Sequence, residues 1–183
     1  MPLLKEELYT IDYIENLPEG ERAELIDGFV YDMASPSRIH QRIAFELGRK
    51  IADYIDANNG KCEVNLAPFA VFLNNDEYTY VEPDISVVCD SKKLSDKGCH
   101  GAPDWIIEIA SPASKRMDYM IKLFKYQSAG VREYWIVDSD TQNIRVYDFD
   151  RDDTADYKFS DTVSVGIYEN LSIDFSKLMP NGL

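Results

Sequence analysis

The segment Trp105–Ala110, "WIIEIA", restricts the fold more than any other stretch of this chain. A strand turns successive side chains to opposite faces, and both faces are apolar here apart from Glu108. Such a strand has no wet side. It reads as a central strand covered from above and below, which requires a sheet sandwiched between other elements. Glu108 is then a carboxylate held away from water, a cost on the order of several kcal/mol unless a cation or strong donors offset it.

The rest of the sequence supplies the covering layers. Ile39, Ile43, Leu47, Ile51 and Ile55 recur every four residues and predict a helix within 35–60, with Ser35 or Ser37 as its cap and Gly60 after its end. A second helix is predicted over 114–130, with Met117, Met120, Ile121 and Phe124 as its apolar face and Gly130 as its stop. A short helix is expected over 5–16. "AELIDGFVYDM" reads as a hairpin turning at Asp27-Gly28. Further strands are expected within 62–73, 80–90 and 103–111, followed by a hairpin of "REYWIVD" with "NIRVYDFD". The acidic stretch Asp150 to Asp156 reads as a loop, and two short strands finish the chain. This order predicts an α/β fold, a mixed central β-sheet flanked by helices, in one domain over 1–183.

A length of 183 residues is sufficient for a core without staples. The apolar runs are too short to cross a bilayer. The acidic N-terminus lacks the basic and apolar regions of a signal peptide. Three cysteines, at 62, 89 and 99, are an odd number with no disulfide framework, and they point to a reducing cytoplasm.

Net charge is -14, which by itself argues against a protein that coats nucleic acid. Its distribution qualifies that argument. Residues 35–60 carry 4 basic and 3 acidic groups, and residues 111–134 carry 5 and 2. Both basic segments are predicted helices, so a polyanion could approach a local patch against the overall field.

The informative residues are acids within apolar strands. Asp84, in "VEPDISVVC", resembles Glu108 in its surroundings. Two such acids on neighbouring strands repel each other, and a divalent ion between them removes the conflict, with oxygen donors suiting Mg²⁺ or Mn²⁺. Pairing with a Lys or Arg, or exposure at a strand end, explains the same pattern without a metal, and Pro83-Asp84 is also ordinary turn chemistry. Lys122 follows Asp118 by four positions, so it reads either as half of an exposed helical ion pair or as a long side chain leaning over the acids. Glu24 and His40, taken singly, read as surface residues. Cys89, Cys99 and His100 lack zinc spacing, and no phosphate loop, G-x-S-x-G elbow or RNA-binding aromatic pair is present.

Taken in order, "ELIDGFVYDM", "SPSRIHQRI", "VEPDISVVCD", "PDWIIEIASPAS", "DYMIKLFKYQSAGVREYWIVD" and "ENLSIDFSKLM" span nearly the whole chain. Together they resemble the Uma-two family, proteins classed as endonucleases within the PD-(D/E)XK restriction-endonuclease-like superfamily. The resemblance implies a restriction-endonuclease-like core. It matches Asp84 to the motif aspartate and Glu108 to the acid of the (D/E)XK element. Two residues after that acid, where the superfamily usually has its lysine, stands Ala110, and Lys122 on the following helix takes the lysine's place. Glu24 and His40 match further recurrent polar positions. The implied activity is Mg²⁺-dependent (or Mn²⁺-dependent) hydrolysis of DNA phosphodiesters. Asp84, Glu108, the Ile109 carbonyl and Glu24 would hold the metal, Lys122 and His40 would assist, and Arg38, Arg42, Lys115, Arg116 and Lys125 would contact phosphates. A catalytically silent module of the same fold, or a hydrolase of a small phosphate ester, are the alternatives. A homodimer is compatible with each, with "EYWIVD" as a candidate pairing edge.

Overall fold

The computed structural model describes residues 8–74 and 76–178. A short helix, α1 (Ile11–Glu15), precedes the hairpin of β1 (Ala23–Ile26) and β2 (Phe29–Asp32). Asp27 and Gly28 turn this hairpin with φ of 52° and 81°, the double left-handed turn for which Asp-Gly is suited. The long helix α2 (Arg38–Ala57) follows, then β3 (Glu63–Leu66), β4 (Val71–Phe72), β5 (Ile85–Val88), β6 (Leu94–Ser95), β7 (Gly98–His100) and β8 (Trp105–Ala110). A π-helical turn, Met117–Lys122, runs directly into α3 (Leu123–Ala129). The chain continues through β9 (Glu133–Asp138), β10 (Asn143–Asp148), β11 (Asp153–Lys158), β12 (Thr162–Ser164) and β13 (Ser172–Asp174).

Six strands form the central sheet in the order β11-β10-β9-β8-β5-β3. Within this sheet, among the described residues, β8 and β9 alone pair in parallel, and the helix between them is the crossover that parallel pairing requires. Strand β8 is therefore interior, and all six of its residues are buried, as its two apolar faces demand. One face of the sheet packs Ile85, Val87, Trp105, Ile107 and Trp135 against Ile43, Leu47 and Ile51 of α2 and against Ile173 and Phe175 near the end of the described chain. The opposite face packs Val88, Ile106, Tyr134 and Ile136 with Tyr126 of α3 and Ile26 of β1. Glu108 alternates with Ile106 and Ala110, so it points to this second face.

Several expectations need correction. Helix α1 starts at Ile11, and residues 5–7 of the expected helix lie outside the described residues. The acidic stretch read as a loop instead enters an edge strand, β11, because its acids face outward and Arg145 holds Asp156 with two hydrogen bonds of 2.7 Å. Strand β9 cannot offer an edge to a second copy, since it is paired on both sides. Cys62 and Cys89 are joined in a disulfide one position beyond the last pair of the β3–β5 ladder, leaving Cys99 as the free thiol. An odd cysteine count concealed a cross-strand pair, and the premise for a reducing compartment goes with it. Among the described residues no helix is long and apolar enough to cross a membrane.

Candidate active site

Antiparallel register carries Asp84, one residue ahead of β5, opposite Glu108 on β8. The two are bonded crosswise. Ile109 N–H donates to Asp84 Oδ2 at 2.7 Å, and Asp84 N–H lies 3.4 Å from Glu108 Oε2. Each carboxylate thus meets the backbone of the other's strand, and among the described residues neither is ion-paired with an arginine. The Ile109 peptide borders the same edge.

Glu24 reaches the site from β1. The hairpin is laid over the sheet by the bridge of Leu25 to Tyr80, which buries Glu24 to 4% exposure and lets its Oε1 accept from Glu82 N–H at 2.9 Å. Lys122 arrives from the π-helical turn with its Nζ 2.8–2.9 Å from Glu24 and 2.9 Å from Glu108 Oε1. Tyr126 O–H donates to the same Glu108 oxygen at 2.7 Å. On the other side His40 Nε2, in the first turn of α2, lies 3.0 Å from Asp84 Oδ2. Ser37 Oγ caps that turn by accepting from His40 N–H at 3.2 Å. His40 Nδ1 is buried with no partner among the described residues.

The helix carrying Lys122 departs most from its expected form. Met120 and Phe124, assigned to its apolar face, are 61% and 65% exposed. Asp118, Lys122 and Tyr126 are the buried residues. Neither acid nor lysine is on the surface, so an exposed ion pair does not describe them. A π-turn widens the helix by about one residue, a device frequent at functional sites, and here it coincides with the lysine. Asp118, Tyr126 and the Arg22–Glu82 ion pair that flanks Glu24 were not foreseen. Their signals were present: a polar stripe at spacing four in an apolar helix, and a tyrosine whose hydroxyl needs a partner once buried.

The electrostatics follow from one lysine among several acids. Burial pushes Glu108 up to about 8, with Lys122 opposing and Asp84 adding to the shift. Burial likewise raises Asp118 to about 6. Burial pulls Lys122 down, but the carboxylates of Glu108, Glu24 and Asp118 outweigh it and hold the ammonium well above its ordinary range. The cluster therefore retains an extra proton near neutrality and has a deficit of positive charge.

Of the five proposed phosphate contacts, three are engaged by acids: Arg42 with Glu46, Lys115 with Asp138 and Lys125 with Asp27. Arg38 and Arg116 are exposed and have no ion-pair partner among the described residues.

Among the described residues no three His, Cys, Asp or Glu side chains converge as a metal cluster, because Lys122 Nζ fills the space between Glu24 and Glu108. The donors nonetheless suit a hard cation. Asp84 Oδ1 has no hydrogen-bond partner among the described residues, and Glu108 Oε2 has only the 3.4 Å contact.

Residues 6–175 match the model of the Uma2 family, described as "Putative restriction endonuclease". Two relatives from Synechocystis sp. (strain ATCC 27184 / PCC 6803 / Kazusa) are uncharacterized proteins. One, slr1290, is 26% identical over 130 residues, which is 70% of this chain and 67% of the relative. The other, sll1609, is 24% identical over 173 residues, 92% of this chain and 93% of the relative. A crystal structure described as a "putative nuclease belonging to DUF820", from Anabaena variabilis ATCC 29413, superposes with a TM-score of 0.75 at 24% identity. It covers 92% of this chain and 96% of that one. At that identity the likeness shows the fold.

Proposed function

The chain belongs to the Uma2 family of restriction-endonuclease-like proteins, and from that premise we propose that it is an endonuclease hydrolysing DNA phosphodiesters with Mg²⁺ or Mn²⁺. The observation that carries this reading is the crosswise pairing of Asp84 and Glu108 beside a buried lysine, in a cluster short of positive charge.

Asp84, Glu108 and the Ile109 carbonyl would hold the metal, with Glu24 as a further carboxylate. When bound, a divalent ion polarises the phosphodiester and lowers the pKa of a water ligand. Lys122 supplies a fixed positive charge in a dry site, where charge developing on phosphate oxygens is stabilised more than in water. Tyr126 fixes Glu108 through its hydroxyl, leaving Oε2 toward Asp84. His40 contacts Asp84 through Nε2, which leaves its Nδ1 without a partner among the described residues. Of the five candidate phosphate contacts, Arg38 and Arg116 are the two without an ion-pair partner among the described residues.

A silent module of the same fold is favoured by one observation: Lys122 already bridges two acids, so the network closes without a metal. Cleavage of plasmid and linear DNA with and without Mg²⁺ or Mn²⁺ separates the two readings. The nuclease requires divalent-dependent cleavage that Glu108→Ala abolishes. Equal cleavage by both proteins, or none by either together with no divalent binding in calorimetry, leaves the silent module.

A further inference from the structure

Beside Asp84 a small cleft opens between one face of α2 and the end of β3. It has a volume of about 100 Å³ and is lined by His40, Gln41, Phe45 and Leu66 among others. Its walls are open and mixed: Phe45, 54% exposed, and Leu66, 39% exposed, face it beside the polar His40, Gln41 and Asp84. Helix α2 is shaped to keep it so. A Cβ at Gly48 would come within 2.7 Å of Leu66 Cδ2, so the glycine lets Leu66 lie against the helix rather than fill the space. The only ionisable groups lining the cleft, His40 and Asp84, are bonded to each other.

We propose that this cleft is a nucleobase subsite, in which an unpaired base adjoining the scissile phosphate rests on Phe45 and Leu66. The proposal rests on the nuclease reading and narrows its substrate to single-stranded or locally unpaired nucleic acid.

Three features select this occupant. The space is well below the roughly 300 Å³ of a pocket for a whole small ligand, and it suits a single ring system. The cleft offers an incoming ring no unpaired charge, since its two ionisable lining groups, His40 and Asp84, answer each other. A flat apolar face must be available to the Phe45 ring, with a polar edge for the Gln41 amide at the rim. A nucleobase meets these conditions when it is unstacked, whereas within a duplex both of its faces are covered by neighbours. The cleft is continuous with the acid pair through Asp84, so a base seated there leaves its phosphodiester at the carboxylates.

The test uses Phe45→Trp as a reporter. The natural tryptophans, Trp105 and Trp135, are fully buried, so an indole at position 45 is the accessible one. A short oligothymidylate and the same strand in a duplex are titrated in Ca²⁺, alongside fluorescence anisotropy with the wild type and Phe45→Ala. The expected result is quenching by the single strand but not the duplex, and single-strand binding weakened about tenfold or more in Phe45→Ala. Binding without an indole response, equal affinity of Phe45→Ala and wild type, or an equal response to duplex overturns the subsite, while divalent-dependent cleavage keeps the nuclease reading intact. No binding and no cleavage of any nucleic acid overturns both.

Discussion

Helices α2 and α3 cover opposite faces of one sheet and obey opposite rules. Helix α2 buries what its periodicity advertises: Ile43, Leu47 and Ile51 are fully inside. The segment Met117–Ala129 buries Asp118, Lys122 and Tyr126 and leaves Met120 and Phe124 to solvent. The first helix is held by apolar area, which is non-directional and tolerant. The second packs Met117, Ile121 and Leu123 only partly buried against the core and adds an ion-paired and hydrogen-bonded network, which fails if one member is missing. A helix can therefore be placed by the partners of its polar stripe as firmly as by its apolar one.

The contrast can be broken at the lysine first. Lys122→Met leaves Glu24 and Glu108 facing each other without their cation, and an unfolding free energy lower by about 3–5 kcal/mol is expected in urea titration. Adding Glu108→Gln should recover much of that loss. A lysine change that leaves stability untouched would mean the network contributes nothing to the fold. The matching change in α2, Leu47→Ala, should lower stability by about 2–5 kcal/mol through a cavity. Cleavage per folded molecule should persist in Leu47→Ala and vanish in Lys122→Met.

Acidity sharpens the comparison further. Glu108 rises from 4.5 to about 8 and Asp118 from 3.8 to about 6 on folding, with burial as the leading cause. Between the unfolded and folded values the native state binds more protons, so its stability falls as pH rises through that window. Lys122 is raised as well, and its contribution is lost only above its unfolded value of 10.5. Melting temperature of the metal-free protein should thus decline from about pH 5 toward pH 8, and Glu108→Gln should flatten the decline. Divalent ions should raise the melting temperature more at pH 8 than at pH 6, because protons compete for the same oxygens. A slope unchanged in Glu108→Gln would place the titration elsewhere. The smallest effect is expected on the outer face of the segment Met117–Ala129, where Met120→Ser or Phe124→Ser should shift stability by no more than about 0.5 kcal/mol.

Local pattern accounted for much of the architecture. The Asp27-Gly28 turn, the Ser37 cap, the apolar period of α2 and the double-faced strand β8 each express a short-range rule, and each is found where the rule puts it. The disulfide was not visible, because Cys62 and Cys89 are neighbours only through the β3–β5 register. Strand β11 was hidden by its acids, whose outward orientation and pairing with Arg145 follow from β10 lying alongside. The site residues divide the same way. Asp84 and Glu108 stood out as acids in apolar strands. Glu24 and His40 did not, since one is buried by a hairpin folding over the sheet and the other is brought to Asp84 by the packing of α2.

From the sequence alone came the layered sheet, its central strand and the presence of a carboxylate where water is excluded, since periodicity and hydrophobicity are properties of neighbouring residues. Tertiary structure alone decided which cation answers that carboxylate, which hydroxyl fixes it and which side of the second helix turns inward. Those are contacts between residues 14 to 98 positions apart, and their energies depend on distance and burial, which no local pattern encodes.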